Sequence, residues 1–313
     1  MAGRPRLAVL GSLNMDISVA VPRLPAPGET VLGPAAVIAP GGKGANQAVA
    51  AARLGAAVRM AGCTGSDDFG AALVASLAAE HVNAGAVREV TGSATGVALI
   101  TIDAAGENMI TVAVGANGEA GSADVEAALS QPADLLIISA EIPVAAVRAA
   151  LAVARAAGIT CLLNLAPAPP EAAGLVSDGV DWLVVNEPEA AALLRRPVAG
   201  LNGALAAARD LRRIGAHNAV VTAGAGGAAL ASHADADGAV VAGLSVRSVD
   251  AVGAGDAFVA ALAVALAGGI PAIEAVRAAC AAGATATTRR GTQDALPRPA
   301  DILAATGVRW PLA

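Results

Sequence analysis

Hydrophobic and polar positions along the chain fall into two alternating patterns. Short runs of β-branched and aliphatic residues, bounded by glycine or polar residues, predict strands at 6–13 (RLAVLGSL), 57–63 (AVRMAGC) and 133–140 (ADLLIISA). Three more follow at 159–166 (ITCLLNLA), 181–186 (DWLVVN) and 218–224 (NAVVTAG). Between them, alanine-rich stretches predict helices at about 43–54, 67–80, 144–157, 187–195, 202–214, 255–268 and 271–286. Apolar strands alternating with helices are the mark of βαβ units, so the expected fold is α/β with a mostly parallel sheet.

Two stretches depart from this alternation. Residues 16–39 hold two short strand-like pieces around a Pro/Gly turn, and 96–114 read as a hairpin with AAGEN at its tip. Neither has a helix of its own, which suits a small second sheet projecting from the main body. No repeat or linker divides the chain, so a single domain over 1–313 is expected.

Composition narrows the class. Hydrophobic residues make up 56%, with alanine supplying much of it, and no apolar run reaches the length of a membrane span. The first residues, MAGRPRLAVLGSL, enter a strand pattern almost at once, leaving no room for a signal peptide. Cys63, Cys161 and Cys280 are odd in number and far apart, indicating neither a disulfide framework nor a zinc site. His81, His217 and His233 are scattered, without the spacing of ligand pairs. A net charge of −6 and only four aromatic residues argue against a nucleic-acid surface. The expectation is a soluble, cytoplasmic protein with no nucleic-acid or membrane partner.

Five segments could carry chemistry. In DAVGAGDAF (250–258), Asp256 stands between a glycine turn and an apolar helix. It could cap that helix, or act as a base beside an anion bound on the helix N–H groups. In GSLNMD (11–16), Asn14 and Asp16 follow the first strand, where open α/β sheets bind ligands. Two apart on a continuing strand, they would share a face suited to vicinal hydroxyls; the alternative is a turn bonding its own backbone. In PGGKGANQA (40–48), glycines precede a helix without satisfying a Walker A loop. Lys43 there is the only lysine of the chain, where a merely solvated face would carry arginine like every other basic position.

In NEPE (186–189), Asn186 and Glu189 could face a hydrated Mg²⁺ or form a capping box, and the two are compatible. TAGAGG (222–227) is too incomplete for a dinucleotide fingerprint but leaves room for a glycine loop near a nucleotide. Glu141, just past a strand end, could reach the same crevice as Asp16.

In order, GSLNMD, PAPGET, GGKGANQAVA, GCTGSDDFG, SATGVA, GENMITV, GAN, NLAPAP, NEPEA, TAGAGG, DAVGAGDAF and TTRRGTQ span nearly the whole chain. Together they resemble the ribokinase branch of the ribokinase/PfkB carbohydrate kinase family. The resemblance implies a three-layer α/β/α fold with a projecting β-sheet lid, formed by 16–39 and 96–114, that commonly pairs subunits as a homodimer. It implies transfer of the γ-phosphate of Mg·ATP to a sugar's primary hydroxyl, with Asp256 as general base and Gly253, Ala254 and Gly255 completing a backbone anion hole. Asn14, Asp16, Gly42, Lys43, Asn46 and Glu141 would hold the sugar with Asp256. Asn186, Thr222, Gly224, Gly227 and Gly255 would lie along the nucleotide, with Cys280 near the adenine and Glu189 near the hydrated Mg²⁺. An activating K⁺ would sit at Asp250 and the carbonyls of Val252, Ala286, Arg289 and Gly291.

The chain also departs from the family pattern. Ala251 replaces a usual threonine, Cys280 a polar residue, Ala225 and Gly226 a polar or basic one, and Ala295 a serine common in K⁺-activated members. D-ribose, giving ribose 5-phosphate, is the expected substrate. The lid stretches hold no aromatic residue to stack a nucleoside base, and Arg23 is their only basic residue, against a sugar phosphate. 2-Deoxyribose, pseudouridine and a non-catalytic sugar-binding regulator are the alternatives.

Overall fold

The computed structural model describes residues 3–105 and 107–312. The expected single domain extends to 1–313, and its ends, like Gly106 in the hairpin tip, lie outside the described residues.

A nine-stranded sheet runs through the body. In spatial order it comprises β13 (Ala239–Ala242), β12 (Gly227–Ala231), β11 (Ala216–Thr222), β10 (Val180–Asn186), β9 (Thr160–Asn164), β8 (Leu135–Ser139), β1 (Arg6–Leu10), β4 (Ala57–Gly65) and β5 (Asn83–Val90). All neighbours from β11 to β5 are parallel, and β12 and β13 add an antiparallel edge. Residues along β1 and β8 alternate between two cores. Leu7, Val9, Leu135 and Ile137 enter one, and Ala8, Leu10, Leu136 and Ile138 the other.

The first core holds α1 (Lys43–Arg53), α2 (Asp68–Ala79), α8 (Ala254–Ala267), α9 (Ala272–Ala286) and α10 (Pro299–Thr306). The second holds α3 (Ser122–Ala128), α4 (Val144–Ala157), α5 (Ala172–Ser177), α6 (Glu187–Leu194) and α7 (Gly200–Arg213). The result is the expected three-layer arrangement. Helix α8 is buried continuously from Asp256 to Ala265 and packs between α1 and α9. A helix that is apolar on every side is stable only where neighbours cover it all round.

A second sheet, in the order β3 (Val37–Gly41), β2 (Asn14–Ala20), β6 (Gly96–Ile102) and β7 (Asn108–Ala113), forms the lid. Several strand boundaries shift by one to three residues from expectation, and one of them changes the site. The first strand ends at Leu10 rather than at 13, and the chain changes sheets through Gly11–Leu13. Asn14 and Asp16 therefore belong to the lid itself, paired with Gly96 and Ala98 on β6. Asp67 ties the lid's root to the body: it caps α2 through Gly70 N and accepts from the Thr95 N–H at 2.8 Å.

Candidate active site

The carboxyl ends of β1, β8, β9 and β10 and the N-termini of α1 and α8 converge on one crevice, the position open α/β sheets use for ligands. Part of it is a cleft of about 240 Å³. Lys43, Asn164 and Asp256 bound it on one side, Asn186, Glu189 and Thr222 on another, and Ala251, Gly253 and Gly255 close it at the start of α8.

Asp256 lies in the first turn of α8, after Gly253, which takes the left-handed conformation with φ 78°. Its carboxylate is buried but not bare. Asn46 Nδ2 donates to Oδ2 and Gln47 Nε2 to Oδ1, both at 2.9 Å. Burial pushes its pKa up, against the pull of Lys43 and the two amides. The opening residues of a helix have no intrahelical partner for their N–H groups. Ala254 N donates to the Ala251 carbonyl at 3.3 Å, and Gly255 and Asp256 stand at the cleft wall. Asp256 lines the cleft but does not cap α8: Gly253 is the N-cap, and both carboxylate oxygens accept from the Asn46 and Gln47 amides rather than from helix N–H groups, so the capping reading is corrected.

Lys43 opens α1. Gly42 before it adopts φ 89°, and a side chain there would come within 2.6 Å of the Asn14 backbone nitrogen, so only glycine fits. Lys43 Nζ lies 3.3 Å from Glu141 Oε1, while Ser12 Oγ donates to Glu141 Oε2 at 2.7 Å. Burial alone would lower the ammonium's pKa, but Asp256 and Glu141 outweigh it and raise it. The single lysine therefore stands, charged, between Glu141 and the Asp256 cleft.

On the lid side, Thr292 Oγ1 donates to Asp16 Oδ2 at 3.2 Å. Desolvation raises the Asp16 pKa to about 6, helped by Glu141 and Asp256 and opposed by Thr292 and Lys43. Asn14 Oδ1 accepts from Asn117 Nδ2 at 2.7 Å, and Asn117 also bridges both backbone groups of Leu13. Asp16, Lys43, Asn46, Glu141 and Asp256 are thereby joined through direct contacts and charge coupling, while Asn14 stands two residues from Asp16 on β2 and is held by Asn117. Ser12, Gln47, Asn117, Asn164 and Thr292 belong to the same assembly and carry no role in the sequence reading.

On the far wall, Asn186 and Glu189 form the capping box of α6. Glu189 N donates to Asn186 Oδ1 at 2.9 Å, and Asn186 N to Glu189 Oε2 at 2.8 Å. Both also bound the cleft, so capping and cleft placement coexist. Burial raises the Glu189 pKa, with the Asn186 N–H and Lys43 pulling against it.

Gly224 and Gly227 flank a short 3-10 turn just beyond Thr222. A Cβ on Gly227 would meet the Val241 carbonyl at 2.1 Å, so packing against β13 already requires glycine there. Cys280 lies apart from the cleft wall, in the core beside α8, where burial pushes its thiol up to about 12. Asp250 joins two loops, accepting from Val252 N at 3.0 Å and Gly291 N at 3.1 Å. Among the described residues, no cluster of three or more His, Cys, Asp or Glu could hold a metal ion.

The pattern of the pfkB family carbohydrate kinases matches residues 4–299. The chain belongs to this family. Its pfkB relatives include a ribokinase of Schizosaccharomyces pombe, 37% identical over 93% of this chain and 94% of that protein. A deoxyribokinase of Salmonella typhi is 35% identical, over 93% and 95%. Among solved pfkB-like structures, the Arabidopsis thaliana ribokinase complexed with ribose and ATP superposes with a TM-score of 0.84 at 29% identity, covering 96% of this chain and 98% of that one. As a pfkB member the chain is a sugar kinase, with the ribokinase-like fold of a large, mostly parallel sheet and a small separate one.

Proposed function

We propose that the chain transfers the γ-phosphate of ATP to the primary 5-hydroxyl of D-ribose, giving ribose 5-phosphate and ADP. One observation carries the reading. A buried carboxylate, Asp256, is held by two amides at the N-terminus of an apolar helix, lines the cleft beside the only lysine, and is coupled to Asp16 on the lid. Relatives named ribokinase, and the ribose and ATP complex of one of them, support ribose and ATP as the substrates.

Asp16 and Asn14 on the lid, with Gly42, Lys43, Asn46 and Glu141, hold the sugar's hydroxyls. Asp256 takes the proton of the primary hydroxyl as that oxygen attacks the γ-phosphorus and the bond to the β-phosphate oxygen breaks. The N–H groups of the Gly253–Asp256 turn and the positive end of α8 stabilise charge on the equatorial oxygens, with Lys43 adding a point charge. The nucleotide lies along Asn186, Thr222, Gly224, Gly227 and Gly255; Cys280, buried in the core apart from the cleft wall, is not proposed to touch its base.

The residues fit Mg²⁺ and K⁺. Among the described residues Glu189 Oε1 accepts no hydrogen bond, leaving one oxygen of a cleft carboxylate free for a water of a hydrated Mg²⁺. When bound with ATP, Mg²⁺ neutralises phosphate charge. Asp250 lies between two loops whose Val252, Arg289 and Gly291 carbonyls accept no hydrogen bond among the described residues; the Ala286 carbonyl is engaged only by Arg289 N, at 3.5 Å. Such an oxygen-lined junction suits K⁺, although Ala295 offers no hydroxyl to it.

The lid supports a homodimer. Ile38 and Leu99, which flank Ile17 in one row across it, are 57% and 50% exposed. A cytoplasmic setting agrees with three free, buried cysteines; among the described residues no helix is long and apolar enough to cross a membrane.

The test is ADP release from Mg·ATP with D-ribose, 2-deoxyribose, pseudouridine and other sugars in parallel, with and without K⁺. Selective turnover of ribose supports the reading. Preference for 2-deoxyribose, which the deoxyribokinase relative makes the second reading, moves the substrate by one hydroxyl. Silence across the panel contradicts it.

A further inference from the structure

Asp256 is the middle of a longer chain of side-chain hydrogen bonds. Gln47, fully buried on α1, uses its one amide nitrogen twice, toward Asp256 Oδ1 and toward Asn164 Oδ1, both at 2.9 Å. Its own oxygen has no hydrogen-bond partner. A buried amide with an orphan oxygen is costly, and an apolar side chain of similar length would avoid that cost. What offsets it is the work of the two N–H groups.

Asn46 holds the other oxygen of Asp256, and the sense of its amide is set from behind. Gln293 Nε2 donates to Asn46 Oδ1 at 3.2 Å, which obliges Asn46 to present its nitrogen to Asp256. Gln293 is anchored in turn. Ser76 Oγ donates to its Oε1 at 3.4 Å, and Arg53 Nη1 to its carbonyl at 2.5 Å. At the opposite end, Asn164 Nδ2 donates to the Val184 carbonyl at 3.4 Å. The carboxylate is thereby clasped at both oxygens by consecutive residues of α1, and the clasp is fixed to α2 on one side and β10 on the other.

We infer that Gln47 and Gln293 are positioning residues that fix the plane of the Asp256 carboxylate, Gln47 directly and Gln293 through Asn46. The inference rests on the reading of Asp256 as general base. Each clasped oxygen keeps a second lone pair, so the carboxylate can still take a proton while unable to swing away from the hydroxyl. The donors also favour the ionised form in a site that otherwise disfavours it; Lys43, Glu141 and Asp16 are the charged groups that face it from α1, the β8 end and the lid.

The experiment compares Gln47→Met and Gln293→Met with the parent protein and Asp256→Asn, using D-ribose or whichever panel sugar turns over fastest. Steady-state kcat, both KM values and the pH profile of kcat are measured. Loss of alignment lowers kcat by about 10–100-fold in Gln47→Met and about 3–10-fold in Gln293→Met, with KM values within about twofold. The acid limb of kcat moves to higher pH in both: Gln47→Met removes a donor to the ionised Asp256, and Gln293→Met frees the Asn46 amide to turn its own donor away. A purely structural role would leave that limb in place. Unchanged kcat with an unmoved limb, or raised KM values with an unmoved limb, overturns the inference. If Gln47→Met does not fold, Gln293→Met decides alone. Near-normal turnover in Asp256→Asn would instead remove the base reading beneath it, so the two failures are distinct.

Discussion

Thr292 Oγ1 donates to Asp16 Oδ2 across 276 positions of sequence, tying the lid strand β2 to the turn after α9. The same turn reaches two other carboxylates: Gly291 N bonds Asp250 and Gln293 bonds Asn46, the partner of Asp256. Three successive residues therefore join Asp16, the Asn46 partner of Asp256 and the proposed cation site at Asp250.

Asp16 gives the account a pH dependence. Its pKa is raised to about 6 by burial, so it is ionised at neutral pH and protonated below that value. An ionised carboxylate accepts hydroxyl hydrogen bonds more strongly than a neutral one. The KM for the sugar is expected to rise as pH falls through about 6, and Thr292→Val, which removes a donor to the ionised form, should shift that rise to higher pH. A sugar KM flat from pH 5 to 8 would remove Asp16 from sugar recognition.

Lys43 is expected to resist replacement by arginine. A compact ammonium 3.3 Å from Glu141 cannot be copied by a planar guanidinium in the same space. Lys43→Met and Lys43→Arg should each lower kcat/KM by about 10²-fold, the usual worth of one charge-stabilising donor. Full activity in Lys43→Arg would show that charge alone suffices.

Arg53 links stability to the site. It pairs with Glu80 through two bonds and donates to the carbonyls of Gln293 and Leu296. Arg53→Met should destabilise the fold by about 2 kcal/mol, the scale of a charge-assisted hydrogen bond lost in a part-buried setting. Urea unfolding measures it, and a change within 0.5 kcal/mol, about that of an ordinary surface substitution, would contradict it.

The lid's outer row predicts association. Leu99→Asp should convert a dimer to monomers in light scattering, since a charge there would be buried between copies. A parent protein that is monomeric at micromolar concentration would contradict the lid dimer.

Much of this was legible in the chain. The strands at 6–13, 133–140, 159–166 and 181–186 were marked by apolar runs that are buried on both faces, and the helix at 255–268 by its lack of charge. β5 escaped because NAGAVREV is an edge strand with mixed exposure, and β13 because it is four residues long. Two of the acids were visible for a local reason: Glu141 follows the end of β8 and Asp256 stands in the first turn of α8, whereas Asp16 lies inside the lid strand β2. Gln47, Asn117, Asn164 and Thr292 stood within quoted motifs yet gained no role, because each meets a partner more than 100 positions away that only the fold brings near.

The most direct measurement is turnover and sugar binding by Asp256→Asn. The account predicts that kcat falls by about 10²–10⁴-fold, the span of a general base, while D-ribose still binds by calorimetry with near-parent affinity. Near-normal kcat in this variant would contradict the proposed chemistry, whatever the sugar.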